Sequence, residues 1–321
     1  MNITHFGIPT WQQNYLKSKA DISNNQVFFE ENEISDEMLA KLQDTEIVTI
    51  FIQTKITAKI ISSLPNLRLI VTRSTGYDHI DIGACLAHEI KVCNVPTYGT
   101  ETIAEHTFGL LLNICHNLNP LLNRTKESNF KYSDYLGFDL AGKTLGVIGA
   151  GKIGKSVIKI AKSFDLKVVA FDIYEDAKAA IDLGFSYVTK EELLTQSDII
   201  SLHCNLNDST RDILSLNNFN LIKKGCILIN TARGDLISNE DLFFGLQNGV
   251  FAAAGLDTLE DENSMFDGTI NETQKKLLAL GNLFYTPHSA YYTKEAITRI
   301  LDTTYDDILG YQNNHIINQV S

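Results

Sequence analysis

The chain reads as a doubly wound α/β protein built on parallel sheets, and three observations predict it. Residues 144–172 spell strand, glycine turn, helix and second strand ending on an acid. Before that stretch, short apolar runs alternate with helical patterns to about residue 100, and after it the same alternation resumes to about residue 292. At 321 residues the chain is long enough for two domains with their own cores.

In the central stretch, the apolar run 145–148, broken only by Gly146, passes through Gly149-Ala150-Gly151-Lys152-Ile153-Gly154 into a periodic segment, Val157, Ile158, Ile160, Ala161 and Phe164. Val168-Val169-Ala170-Phe171 then ends on Asp172. In such a unit Gly149 permits a tight turn, Gly151 lets the backbone approach a pyrophosphate, and Gly154 lets helix and strand pack closely. The helix N-terminus, with Lys152 and Ile153 in its first turn, points free N–H groups at the anion. Asp172 can accept both ribose hydroxyls and repels a 2′-phosphate; with no arginine in 173–177, NAD is favoured over NADP.

In the N-terminal third, Ile47-Val48-Thr49-Ile50-Phe51 and Leu69-Ile70-Val71 look like buried strands, and Val92 with Val95 marks another after the helix-like 82–88. Arg73-Ser74-Thr75-Gly76-Tyr77-Asp78-His79 follows the second run, at the strand end where open sheets bind ligands. The amides of Thr75 and Gly76 form either a carboxylate cradle or a plain glycine turn. Thr100 opens a long helix through Ile114, which leads the chain from the first domain towards the second. Residues 129–138 concentrate aromatics outside any clear element, as an arm on a second subunit or a loop covering its own domain. Later strands are expected at 199–203, 226–230, 252–256 and 283–286, with helical patterns at 191–194, 217–222, 241–246 and 296–309.

Composition narrows the partners. With 44% hydrophobic and 21% charged residues the chain resembles a soluble globular protein, and a net charge of −12 argues against nucleic acid or an anionic membrane. Five scattered cysteines without a CxxC pair read as reduced thiols in a cytoplasmic protein with no metal centre. The start of the chain carries no signal-peptide pattern, and the apolar runs are too short to span a bilayer.

An anionic substrate would then need a local positive feature, and only six arginines are present. Arg233 follows the strand 227–229 and precedes Gly234, a placement that aims its planar fork at a carboxylate and a neighbouring carbonyl. His288 follows Pro287 at a strand end; hydride transfer to a ketone leaves an alkoxide to be protonated, and a histidine does this near neutral pH. Glu260, Asp261 and Glu262 are each able to serve as a carboxylate partner for it. His79, His106 and His203 are assigned to local structure.

The glycine motif with Asp172, Asn230-Thr231-Ala232-Arg233-Gly234, Gly255-Leu256-Asp257-Thr258, and Thr286-Pro287-His288-Ser289-Ala290-Tyr291-Tyr292-Thr293 together resemble the D-isomer-specific 2-hydroxyacid dehydrogenases. The likeness extends to Asn94-Val95-Pro96-Thr97-Tyr98 and Ala104-Glu105-His106, and within the family it leans to those acting on D-lactate. It implies that Arg233 binds substrate carboxylate and carbonyl, that His288 is the acid/base, and that Glu262 pairs with His288. Asp257 would hold the nicotinamide carboxamide, with Thr231 and Ala232 beside the cofactor. Thr75 and Gly76 would give amides to the carboxylate, and Tyr98 and Tyr291 would close the pocket around a small side chain, inclining the reading to pyruvate.

The resemblance also implies a Rossmann NAD domain over 101–292, inserted in a flavodoxin-like substrate domain formed by 1–100 and 293–321, with a cleft closing over substrate. A homodimer joined through the cofactor domain is implied as well. One departure is Asn205, where the family usually has proline; it affects loop rigidity on the cofactor side. Glyoxylate, hydroxypyruvate and longer 2-keto acids are the alternative substrates, and a non-enzymatic NAD(H)-sensing protein is the reading from another class.

Overall fold

The computed structural model describes residues 1–19, 25–266 and 268–321 and divides into two compact units, Met1–Tyr98 with Thr293–Ser321, and Gly99–Tyr292. The first unit runs β1 (Asn2–His5), α1 (Thr10–Ser18), β2 (Gln26–Phe29), β3 (Ile47–Ile50), α2 (Ala58–Ser62), β4 (Leu69–Thr72), α3 (Ile82–Ala87) and β5 (Lys91–Cys93), and ends in the helix Lys294–Gln312. Its five strands are all parallel, in the order β2-β1-β3-β4-β5, the flavodoxin-like arrangement. β3 and β4 are buried at every residue, which is why they read as unbroken apolar runs. Phe6, Val48, Ile50, Ile70 and Val92 share one core cluster, and Ile3, Ile47, Leu69, Val71 and Cys93 share another with Ile308 of the last helix.

β1 and β2 carry no such run. Thr4 and His5 are buried polar residues, Thr4 Oγ1 meeting Thr45 Oγ1 at 3.1 Å and His5 Nδ1 meeting Thr49 Oγ1 at 2.7 Å, and β2 is a half-exposed edge. The chain's C-terminal tail extends the opposite edge: the Val320 N–H donates to the Val92 carbonyl and the Asn94 N–H to the Asn318 carbonyl, with Cys93 and Gln319 in an antiparallel bridge. Asn318 Nδ2 donates to Asp307 Oδ1 at 2.8 Å, and Asp307 is fully buried.

The second unit comprises α4 (Thr100–His116), α5 (Leu118–Lys126), β6 (Thr144–Ile148), α6 (Lys152–Ser163), β7 (Lys167–Phe171), α7 (Ala177–Leu183), β8 (Ser186–Tyr187), α8 (Lys190–Gln196), β9 (Ile199–Leu202), β10 (Cys226–Asn230), α9 (Asn239–Gln247), β11 (Phe251–Leu256), α10 (Glu262–Phe266), α11 (Glu272–Leu278) and β12 (Leu283–Tyr285). Its sheet is parallel throughout, ordered β12-β11-β10-β9-β6-β7-β8. The chain winds outward from β6 to β8, then crosses back to place β9 beside β6. Strand order therefore reverses between the carboxyl ends of β6 and β9, the crevice where such sheets take ligands. α4 belongs wholly to this unit and packs Ala104, Phe108 and Leu111 into its core.

One segment departs from the sequence reading. The helical pattern at 217–222 is only a 3-10 turn, Phe219–Leu221; Asn218 spends its side chain on Ile213 and Ser215, and Gly225 follows too soon for a helix to propagate. Residues 129–138 form no helix or strand, and Phe130, Tyr132 and Leu136 stand 76%, 77% and 94% exposed, while Phe138 packs on the core. α5 and α7 were not read from the sequence; neither has a fully buried residue, and α7 sets only Ala179, Ala180 and Leu183 against the core. Among the described residues no helix is long and apolar enough to cross a membrane.

Candidate active site

The glycine turn lies at the carboxyl end of β6, beside that reversal of strand order. Gly149 has φ +94°, and a Cβ there would lie 2.4 Å from the Cys204 nitrogen, so conformation and packing both demand glycine. A Cβ on Gly154 would lie 2.1 Å from the Gly149 carbonyl oxygen, which is the close approach of α6 to the turn. At Gly151 a Cβ meets nothing within 4 Å. Gly151 is also the N-cap of α6 and has no side-chain cap, so open space and helix N–H groups coincide where a pyrophosphate would sit. Lys152 and Ile153 follow in the first turn.

Asp172 ends β7. Its Oδ2 accepts from the Ala150 N–H at 2.7 Å and its Oδ1 from the Tyr174 N–H at 2.9 Å, which fixes the carboxylate against the turn and leaves lone pairs for ribose hydroxyls. These residues fit a dinucleotide.

The second group lies past the ends of β10, β11 and β12. Asn230, fully buried at the end of β10, accepts the Ala232 N–H at 3.0 Å and donates to the Arg233 carbonyl at 2.7 Å, fastening the loop that carries Thr231, Ala232 and Arg233. Thr231 Oγ1 lies 2.9 Å from Thr107 Oγ1 on α4, and Arg233 Nη1 donates to the Ala232 carbonyl at 2.8 Å. A Cβ on Gly234 would stand 2.0 Å from the Leu259 carbonyl carbon, so the loop is pressed against the chain after β11.

Asp257 follows β11 and is 1% exposed. Its carboxylate accepts from Thr286 Oγ1 at 2.5 Å, the Ser289 N–H at 2.9 Å and the Ala290 N–H at 2.8 Å. The turn it grips holds His288 in the left-handed region, φ +49°. His288 Nδ1 lies 2.6 Å from Glu262 Oε1 at the start of α10. The structure thus brings Glu262, of the three nearby acids, to His288; Glu260 instead accepts the Asn239 N–H at 2.9 Å. With Nδ1 engaged by a carboxylate, Nε2 is the ring atom left for proton transfer. Tyr291 and Tyr292 follow with their rings edge to face.

Thr75, Gly76 and Tyr98 belong to the first unit. Thr75 Oγ1 donates to the Val95 carbonyl at 2.9 Å, Asn94 Nδ2 to the Thr75 carbonyl at 2.7 Å, and Ser74 Oγ to the Gly76 carbonyl at 2.7 Å, so side chains on both flanks hold the turn. Tyr98 presents its carbonyl to Arg299 Nε at 2.6 Å. Sequence reasoning missed Arg73, which is buried and fans its guanidinium over the carbonyls of Phe6, Gly7 and Ile50, at the point where strand order reverses between β1 and β3. Its signal was an arginine directly after the fully buried strand Leu69–Thr72.

Of the histidines assigned to local structure, His79 Nε2 meets Thr72 Oγ1 at 3.0 Å and His203 Nε2 meets Ser201 Oγ at 2.7 Å. Burial of the His203 ring pulls its pKa down to about 3. His5 is likewise lowered to about 3 by burial, helped by the Arg73 charge. His106 reaches Thr286 and Asp257 from α4.

Residues 108–290 match the family model described as D-isomer specific 2-hydroxyacid dehydrogenase, NAD binding domain. The chain is 30% identical to a D-lactate dehydrogenase of Escherichia coli K12, over 96% of each chain. It is 36% identical to a hydroxypyruvate reductase of Thermotoga maritima, over 83% of this chain and 84% of that one. Its fold superposes on the D-lactate dehydrogenase of Aquifex aeolicus, solved with NAD and lactic acid, with a TM-score of 0.89 at 31% identity, covering 98% of this chain and 96% of the other.

Proposed function

Because the chain belongs to the D-isomer-specific 2-hydroxyacid dehydrogenases, NAD-dependent oxidoreductases acting on a CH–OH group, we propose that it reduces pyruvate to D-lactate with NADH. The observation that carries the chemistry is the pairing of His288 Nδ1 with Glu262 Oε1 at 2.6 Å in the same unit as the glycine turn.

The nicotinamide, when bound, supplies the hydride to the carbonyl carbon. The chain's own residues do the rest. His288 delivers the proton from Nε2 to the carbonyl oxygen as the C–H bond forms, and in the reverse direction takes it back. Glu262 fixes the ring orientation and balances the imidazolium charge. The Arg233 guanidinium holds the substrate carboxylate and polarises the carbonyl. Gly149, Gly151, Lys152, Ile153 and Gly154 cradle the pyrophosphate, Asp172 takes the ribose, and Thr231, Ala232 and Asp257 line the nicotinamide side. In the first unit, the same reading assigns the Thr75 and Gly76 amides to carboxylate binding. On the same reading Tyr291 limits the substrate side chain, and the assignment of Tyr98 rests on the resemblance alone.

Support for pyruvate comes from the identity to the E. coli D-lactate dehydrogenase over almost the full length and from the Ala290-Tyr291-Tyr292 sequence. The higher identity to the T. maritima enzyme favours hydroxypyruvate as the second reading. We further propose a homodimer, supported by the exposed Phe130, Tyr132 and Leu136, and a reducing cytoplasmic setting, in keeping with five free thiols. Light scattering on the purified protein tests the dimer.

The deciding experiment is NADH oxidation with pyruvate beside hydroxypyruvate, glyoxylate, phenylpyruvate and 2-ketoisocaproate, with the product's chirality determined. Fast formation of D-lactate supports the proposal, and preference for another acid reassigns the substrate. His288→Ala should lose turnover by orders of magnitude with NADH binding intact; unimpaired turnover refutes the mechanism.

A further inference from the structure

His106 lies outside the residues to which the mechanism gives a role, yet it ends in the network behind His288. From α4, its Nε2 sits 2.9 Å from Thr286 Oγ1 and 3.5 Å from Asp257 Oδ1. Thr286 has one hydroxyl proton, and at 2.5 Å it goes to the Asp257 carboxylate, which has none to give when ionised. The Thr286 oxygen must therefore accept from His106, so the imidazole carries its proton on Nε2.

From there the network runs into the backbone of the turn. Asp257 Oδ1 also takes the Ser289 N–H, Oδ2 takes the Ala290 N–H, and the His288 N–H donates at 2.9 Å to both the Asp257 and the Thr286 carbonyls. Each peptide unit on the C-terminal side of Pro287 is thereby fixed. That matters because His288 occupies φ +49°, a left-handed region that a non-glycine residue holds only where its surroundings impose it. The turn would otherwise relax, and the imidazole would leave Glu262.

We propose that His106 is a positioning residue for the acid/base histidine. Its Nε2–H orients the Thr286 hydroxyl onto Asp257, and the Asp257 carboxylate then holds residues 288–290 in the conformation that aims the His288 imidazole. The inference rests on the reading of His288 as the acid/base. It predicts a mode of failure different from loss of the pyrophosphate and ribose sites, since Gly149, Gly151 and Asp172 belong to other elements and Asp257 itself stays in place.

The test uses the full-length enzyme with NADH and whichever of pyruvate or hydroxypyruvate it turns over faster. His106→Ala should lower kcat about 10- to 100-fold, the scale expected of an ångström of misplacement, with the Kd for NADH unchanged within about twofold. His106→Gln, whose amide nitrogen can replace the Nε2 donor, should restore kcat to within a few-fold. Thr286→Val should reproduce the alanine loss, and His106→Ala/Thr286→Val should be no worse than either alone, because both break one chain of contacts.

Unaltered kcat in His106→Ala, no rescue by glutamine, or additive losses in the double variant would each overturn the inference. Should His106→Ala fail to fold, Thr286→Val and His106→Gln decide the matter: full activity in the valine variant, or none in the glutamine variant, refutes it. Activity in His288→Ala would refute the mechanism itself. A dead His288→Ala beside a fully active His106→Ala would refute only the role of His106.

Discussion

Asp307→Asn should stabilise this protein at neutral pH, by a margin that grows as the pH climbs from 3.8 to about 6 and then holds constant. Asp307 is fully buried in the helix Lys294–Gln312, and its pKa is pushed from the ordinary 3.8 up to about 6, chiefly by burial and against the hydrogen bonds from Asn318. Asp306 raises it further, and the Asp307 carboxylate in turn helps push up the Cys93 thiol. A carboxyl with a raised folded-state pKa holds its proton more tightly folded than unfolded. The fold therefore loses stability as pH climbs through the interval from 3.8 to about 6, and the loss is complete above it. At about 1.4 kcal/mol per pKa unit, the cost at pH 7.5 is about 3 kcal/mol, against about 1 kcal/mol at pH 4.5. Asparagine keeps an acceptor for Asn318 and removes the charge. Thermal melts of both proteins by far-UV circular dichroism at pH 4.5, 5.5, 6.5 and 7.5 should show a Tm gap that widens with pH, reaching roughly 5–10 °C. A gap independent of pH, or a less stable variant at pH 7.5, would refute the reasoning.

Gly234→Ala should fail to fold stably, since its Cβ would stand 2.0 Å from the Leu259 carbonyl carbon; soluble yield and Tm report it. Gly151→Ala should keep the parent Tm within about 2 °C, because its Cβ meets nothing within 4 Å, yet weaken NADH binding about tenfold or more by fluorescence titration. Glu262→Gln should cut kcat about 100-fold while leaving the Kd for NADH unchanged, and an equal loss in both would point to misfolding. Acid should act through His5 and His203. Both are held neutral with a pKa of about 3, so each costs stability as pH falls below 6.5, about 1.4 kcal/mol apiece by pH 5.5; His203→Gln should lose correspondingly less between pH 7.5 and 5.5 in urea titrations.

The parts of the fold legible in the sequence were those where burial on both faces leaves an unbroken apolar run, as in β3, β4 and β10. β1 was hidden because its buried positions include Thr4 and His5, whose hydrogen-bond partners Thr45 and Thr49 lie some forty residues away. The glycine turn was legible because Gly149 and Gly154 answer local steric demands, while Gly151 keeps the space before the helix N-terminus open. The partner of His288 was not, since Glu260, Asp261 and Glu262 are equivalent on paper. Only the left-handed Asp261, φ +54°, and the start of α10 turn Glu262 towards the imidazole while Glu260 faces Asn239. The network through His106 and Asp257 was equally illegible, being assembled from three elements far apart in the chain.

The first unit is made of two pieces, Met1–Tyr98 and Thr293–Ser321. On a ribosome this imposes a waiting period. The five strands emerge first, but the helix that brings Ile308 onto Leu69 and Val71, and the tail that pairs with Val92, arrive only after all of Gly99–Tyr292 has been made. At about 5–20 residues per second that interval is roughly 10–40 s, during which one face of a parallel sheet lacks its cover. The second unit, continuous in sequence, can close as it emerges. The nascent chain should therefore acquire its dinucleotide fold before its N-terminal portion becomes protease-resistant, and chaperone dependence should track the last thirty residues.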